Sequence, residues 1–190
     1  MENIVSGRGS GFPWRLLGWG TAAALLLLPL VAMQFTSEVN WTPADFVFAA
    51  VMFALVGGTL ELAVRKSGNL FYRGGVAVAV AATFLLVWIN GAVGIIGDEG
   101  NPANLMFFGV IAVALVGAIV ARFQPDGMAR AMFLAALAEM LVAVIALVGR
   151  LGANEPPGMA GVLVLIGFFA VMWAASGLLF LKAARGARQP

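Results

Sequence analysis

Four polar side chains lie within otherwise apolar stretches of the sequence, and they are the residues with which this chain could do chemistry. Glu139 is the only ionisable residue between Ala131 and Gly149, and Asn90, Thr83 and Glu61 occupy comparable stretches. A carboxyl group at the centre of a membrane-spanning helix costs about 2.5–3.5 kcal/mol when it faces lipid. Such a group is explained by a role: it carries a proton or a cation, binds a ligand, or joins two helices through a hydrogen bond.

Several other kinds of site are excluded by composition. The sequence contains no histidine and no cysteine, which removes disulfides, thiolate chemistry, zinc sites with these ligands and histidine-ligated haem. The glycine-rich segment GRGSG near the N-terminus lacks the strand, helix and lysine of a phosphate-binding loop. We interpret it as a flexible tail. The net charge of +2 gives no reason to expect a nucleic-acid partner. We therefore predict no catalytic residues, no cofactor and no metal, and hence a protein that is not an enzyme.

The elements that position these residues are predicted by the hydrophobic pattern. Of the 190 residues, 62% are hydrophobic and 11% are charged, whereas a soluble domain has about 25% charged residues. A spanning helix needs about 20 predominantly apolar residues. Six stretches qualify, namely residues 16–35, 44–64, 74–96, 103–121, 131–149 and 158–181. The sequence thus predicts an all-α polytopic membrane protein, a single bundle over residues 1–190.

The basic residues predict the orientation. All but one of the 11 Lys and Arg residues fall on the same side of the six spans, and the exception is Arg150. Cytoplasmic loops carry the excess of Lys and Arg. Both termini are therefore expected on the cytoplasmic side of the membrane, with the lipid bilayer as the principal partner.

Two segments of the sequence indicate an internal repeat. The stretch TPADFVFAAVMFALVG begins at Thr42, and NPANLMFFGVIAVALVG begins at Asn101. Both begin with a small polar residue and proline, which suit the cap and first turn of a helix. The period of about sixty residues predicts a tandem repeat of two-helix hairpins. The alternative is that both segments merely share the composition that favours a helix start.

A further stretch carries a family resemblance. The segment VWINGAVGIIGDEGNPAN, residues 87–104, resembles one that recurs in an uncharacterised family of small polytopic membrane proteins of proteobacteria. The resemblance extends from about Asn40 to Leu151. It implies a bacterial origin and no particular activity.

The faces of the predicted helices indicate where the polar residues point. In the fifth span, the side that holds Glu139 is lined by alanines, and the opposite side holds the large apolar residues. Small residues mark helix contacts in membranes, so Glu139 is expected to face protein. By depth, Asn90 and Thr83 are its nearest candidate partners. Thr83 is also expected to bond back to its own helix.

The polar residues leave alternatives open. Glu61 precedes Arg65 by one helical turn and is best explained as half of an interfacial ion pair. Glu139 fits either a structural hydrogen bond between helices or a site for a proton, cation or ligand. Two functions follow. The first is an accessory or assembly subunit that docks a membrane partner, or another copy of itself, through small-residue helix faces. The alternative is a small transporter or channel that uses Glu139.

Overall fold

The computed structural model describes residues 14–186, and the regular secondary structure of this range is entirely helical. The helices are α1 (Trp14–Ala32), α2 (Pro43–Lys66), α3 (Leu70–Ala92), α4 (Leu105–Val120), α5 (Pro125–Gly149) and α6 (Gly158–Gly186), and a short 3-10 helix (Pro102–Asn104) precedes α4. Taking α4 together with that turn, all six are long and apolar enough to cross a membrane. The prediction of an all-α polytopic membrane protein with six spanning helices is confirmed. The glycine-rich tail and two of the basic residues, Arg8 and Arg188, lie outside the described range.

Helix α3 ends at Ala92, four residues before the predicted end at Ile96. The backbone turns at Gly94, whose φ of 73° lies in the left-handed region that favours glycine. The amide groups of Ile95 and Ile96 then donate to the side-chain Oδ1 of Asn104, at 3.2 and 2.9 Å. Asn104 therefore supplies the acceptor that another helical turn would have provided.

The two predicted caps are present at the helix starts. The hydroxyl oxygen of Thr42 accepts from the amide of Asp45 at 3.4 Å, and Oδ2 of Asp45 accepts in return from the Thr42 N–H and hydroxyl at 2.7 and 2.8 Å. Asn101 accepts a hydrogen bond from the amide of Ala103 at 3.0 Å. These bonds satisfy groups that a helix start otherwise leaves unpaired, and they confirm the predicted caps.

The described residues belong to two compact units, residues 1–57 and 58–190, and the boundary falls within α2. In the first unit, α1 has no buried residue in its spanning segment. A Cβ atom at Gly57 would lie 2.9 Å from the ring of Trp19, so glycine is what allows this ring to approach α2. The tandem hairpin repeat stays a prediction, because one of its two hairpins, α2 with α3, is divided between the units.

The second unit is built on three closely packed helix pairs, α5 with α6, α3 with α6, and α4 with α5. Small residues allow these approaches. A Cβ atom at Gly117 of α4 would lie 2.6 Å from the Cβ of Ala131 on α5. The hydroxyl of Ser176 on α6 donates to the carbonyl oxygen of Gly75 on α3 at 2.8 Å, which fixes the position of α6 against α3.

Candidate functional site

Glu139 lies on the inner side of α5, as its position on the helix predicts. Its side chain has no exposed surface, whereas Leu134 and Leu137, on the other side of the same helix, are 55% and 65% exposed. The alanines that share its face are largely buried, among them Ala135 and Ala146, which are fully buried. The prediction that Glu139 faces protein and not lipid is confirmed.

The carboxyl group of Glu139 has no hydrogen-bond partner on either oxygen. The two candidates by depth bond elsewhere. The Asn90 amide donates to the carbonyl of Leu86 at 2.7 Å, and the Thr83 hydroxyl donates to the carbonyl of Ala79 at 2.9 Å. The expected back-bond of Thr83 is therefore confirmed, and both side chains serve their own helix rather than Glu139.

The group that the structure brings to Glu139 is Trp173 of α6. Its indole N–H lies close enough to act on the carboxyl group electrostatically. Yet neither this nitrogen nor the carboxyl oxygens meet the distance and angle of a hydrogen bond. Both side chains are fully buried. The carboxyl group and the indole N–H therefore form a weak donor–acceptor pair of loose geometry within an apolar core.

Glu61 occupies a different environment from Glu139. Its Oε2 atom lies 3.4 Å from the guanidinium of Arg65, one turn further along α2, and the Arg65 side chain is 65% exposed. The predicted intrahelical ion pair is confirmed. Exposed pairs of this kind contribute a few tenths of a kcal/mol, so the pair accounts for Glu61 in structural terms.

A cavity of about 340 Å³ lies next to the Glu139–Trp173 pair in the second unit. Helices α3, α4, α5 and α6 and the end of α2 contribute to its lining. Most of the lining is apolar, and Trp173 and Thr83 belong to it while Glu139 does not. Lys66 and Phe123 are exposed residues of its rim, with the Lys66 Nζ 5.6 Å from the centre of the Phe123 ring. The indole of Trp173 therefore faces Glu139 and also forms part of the cavity wall.

The phenol of Tyr72 closes one end of this cavity. Its hydroxyl donates to the carbonyl of Phe123 at 3.0 Å, which ties the start of α3 to the turn after α4. Asn69 caps α3 by accepting from the amides of Phe71 and Tyr72 at 2.9 and 3.2 Å. The cap and the phenol together hold this end of the cavity in place.

Three functionally or structurally important residues were not among the sequence candidates. Trp173 reads in the sequence as one more aromatic residue of an apolar span, and Ser176 as one small residue among many. Asn104 lies in the stretch that carries the family resemblance, but its hydrogen bonds to the turn after α3 depend on the path of the backbone. The spacing of Trp173 and Ser176, three residues apart on α6, was the one available signal that both face the same side of that helix.

Comparison with known proteins adds no assignment. No family model, curated protein or solved structure matches this chain. The resemblance carried by residues 87–104 therefore stays an expectation. Within residues 14–186, no group of three or more acidic side chains is arranged to hold a metal ion.

Proposed function

We propose that the protein is a small, non-catalytic transporter of the bacterial inner membrane, in which Glu139 takes up and releases a proton or a cation. The observation that carries the proposal is the environment of this carboxyl group. It is fully buried, neither oxygen makes a hydrogen bond of regular geometry, and the Trp173 indole that faces it also lines a cavity.

A structural role accounts for Glu139 poorly. Polar side chains join membrane helices by hydrogen-bonding across the interface, and Ser176 does so within the same unit. Glu139 makes no regular hydrogen bond across the interface, and its contact with the Trp173 indole is weak. A buried polar group without a partner costs about 1–3 kcal/mol. A residue that lowers the stability of the protein and holds no other helix in place is best explained by a role in binding or transport.

The orientation proposed for the protein places the cavity in the cytoplasmic half of the membrane. Lys66, Tyr72 and Met128 line the cavity, and they lie near the ends of α2, α3 and α5 that precede or follow the basic loops. With both termini in the cytoplasm, these ends face the cytoplasm. A proton or cation on Glu139 would then reach the cavity by movement of the Trp173 indole.

The proposal is tested by ion flux into proteoliposomes that contain the full chain. A potassium diffusion potential is imposed, and entry of protons or sodium ions is followed with dyes trapped inside. The wild-type protein is expected to conduct, and Glu139→Gln is expected to reduce the flux to that of protein-free liposomes. Glu61→Gln is the matched control, since it alters the other intramembrane acid, and it should retain the flux. Equal flux for wild type and Glu139→Gln, or no wild-type flux of protons or sodium ions, would overturn the proposal.

One observation favours the accessory or assembly subunit as a second candidate. The spanning segment of α1 contains no buried residue, and its exposed leucines offer apolar surface to a membrane partner or another copy of the chain. This function predicts a stoichiometric partner that stays bound through mild solubilisation and is lost when exposed residues of α1, such as Leu27 and Leu28, are replaced by larger aromatic ones. Wild-type proteoliposomes would then conduct no ions.

A further inference from the structure

We infer that the cavity of the second unit binds the hydrocarbon chain of a single-chain amphiphile with an anionic headgroup, of the fatty-acid type, and that Lys66 pairs with the headgroup. The inference names a second solute, which the proposed transporter would carry together with the proton or cation on Glu139, and in that respect it rests on the proposed function. The binding itself follows from the cavity and is measured without transport.

The length of the cavity matches one hydrocarbon chain. Tyr72 and Thr83 both line it and lie eleven residues apart on α3. At 1.5 Å per residue this is a depth of about 16 Å. The hydrocarbon core of a bilayer is about 30 Å thick, so the cavity extends through about one leaflet.

The volume of the cavity fits one chain rather than two. It measures about 340 Å³, near the lower end of the roughly 300–1,000 Å³ of small-molecule sites. Its wall is formed largely by apolar side chains, and two of these, Met128 and Met132, are methionines. Methionine is unbranched and adapts to irregular shapes. This wall suits a flexible chain with no polar group along its length.

Selectivity must come from the headgroup. Lipid tails are as apolar as the wall of the cavity, so burial of a chain drawn from the membrane supplies no preference by itself. Lys66 is the cationic residue of the rim, and among the described residues no carboxylate lies within ion-pair distance of it. A lysine at the membrane interface reaches the aqueous boundary with its ammonium group while its stem lies along apolar surface. An anionic headgroup at the mouth of the cavity therefore meets an uncompensated positive charge.

A second lysine provides a matched control. The ammonium of Lys182 lies 5.7 Å from the centre of the Phe71 ring, an arrangement like that of Lys66 over Phe123 at 5.6 Å. Both lysines are exposed, but Lys182 does not line the cavity. Loss of either charge changes the net charge of the protein equally, so only a site at the cavity distinguishes them.

The test measures quenching of tryptophan fluorescence by brominated amphiphiles in the full-length protein, reconstituted in nanodiscs of zwitterionic lipid. Dibromostearate is compared with a brominated lysophosphatidylcholine of the same chain length, and the signal of Trp173 is taken as the difference from Trp173→Phe. We expect the stearate to bind about tenfold more tightly than the zwitterionic amphiphile. Lys66→Gln should remove this difference, and Lys182→Gln should keep it.

A second pair of variants tests the cavity itself. Ala114→Leu places a larger side chain in the lining of the cavity and should abolish saturable quenching of Trp173, whereas Ala112→Leu, on the exposed side of the same helix, should not. The inference would be overturned if quenching in the wild type does not saturate. It would also be overturned if the two lysine variants, or the two alanine variants, have equal effects on binding. If stearate does not bind but the wild-type protein conducts ions, the amphiphile is refuted and the proposed ion transport is not. If stearate binds but the protein conducts no ions, the proposed ion transport is refuted and the binding site is not.

Discussion

Replacement of Glu139 by leucine should leave the protein as stable as before or make it more stable, although the residue is fully buried. Neither carboxyl oxygen makes a hydrogen bond of regular geometry, so the substitution removes only the weak contact with the Trp173 indole. Burial of an unpaired polar group costs about 1–3 kcal/mol in mutational data. Exchange of side chains of similar volume in a core costs less than about 1.5 kcal/mol. The two effects together predict a net change between about 0.5 kcal/mol against the folded state and about 3 kcal/mol in its favour, and most of this range is stabilising.

The measurement is the free energy of unfolding of the purified protein in mixed micelles, titrated with SDS and followed by tryptophan fluorescence. Glu139→Gln serves as the comparison, because the amide is also polar and also lacks partners at this position. It should be no more stable than the wild type. Glu61→Leu is the control for loss of an acid from a spanning helix, and it should cost a few tenths of a kcal/mol through the ion pair with Arg65.

The opposite pattern would refute the reasoning. If Glu139→Leu costs about 1–3 kcal/mol while Glu139→Gln is silent, the carboxyl group makes a hydrogen bond across the helix interface that an amide reproduces. The structural alternative weighed for this residue would then be correct, and Trp173, which faces the carboxyl, would be the first partner to examine. A double-mutant cycle with Trp173→Phe would measure that coupling.

Three further predictions concern topology and packing. In this cysteine-free chain, Glu99→Cys should react with an impermeant thiol reagent added outside intact cells, and Gly68→Cys should not. The reverse labelling pattern would show that the orientation is opposite to the predicted one. Gly117→Ala should destabilise the protein by about 1–3 kcal/mol in SDS titrations because its Cβ would collide with α5, whereas Gly109→Ala, with open space around it, should not. Asn104→Ala should cost about 1–3 kcal/mol by leaving buried amides unpaired, and an unchanged midpoint would contradict this.

Much of the fold follows from local physics that the sequence displays directly. Spanning length, the interruptions between spans and the need for lipid-exposed backbone to satisfy its own hydrogen bonds determine six helices. The alanine face of α5 determines that Glu139 points inwards, because small residues mark the side on which helices meet. The Glu61–Arg65 pair and the back-bond of Thr83 also depend only on helical spacing, and both were predictable.

What the sequence left open is which residue meets which across helices. Helical periodicity gives the face of Glu139 but not the neighbour on that face, and the tertiary structure placed Trp173 of α6 there rather than Asn90 or Thr83. The early end of α3 was also decided by tertiary structure, since it depends on hydrogen bonds from Asn104 across the following loop. The cavity could not be predicted from the sequence either, because its wall is assembled from five helices. Periodicity is a property of one helix, whereas a partner or a cavity exists only once several helices have packed.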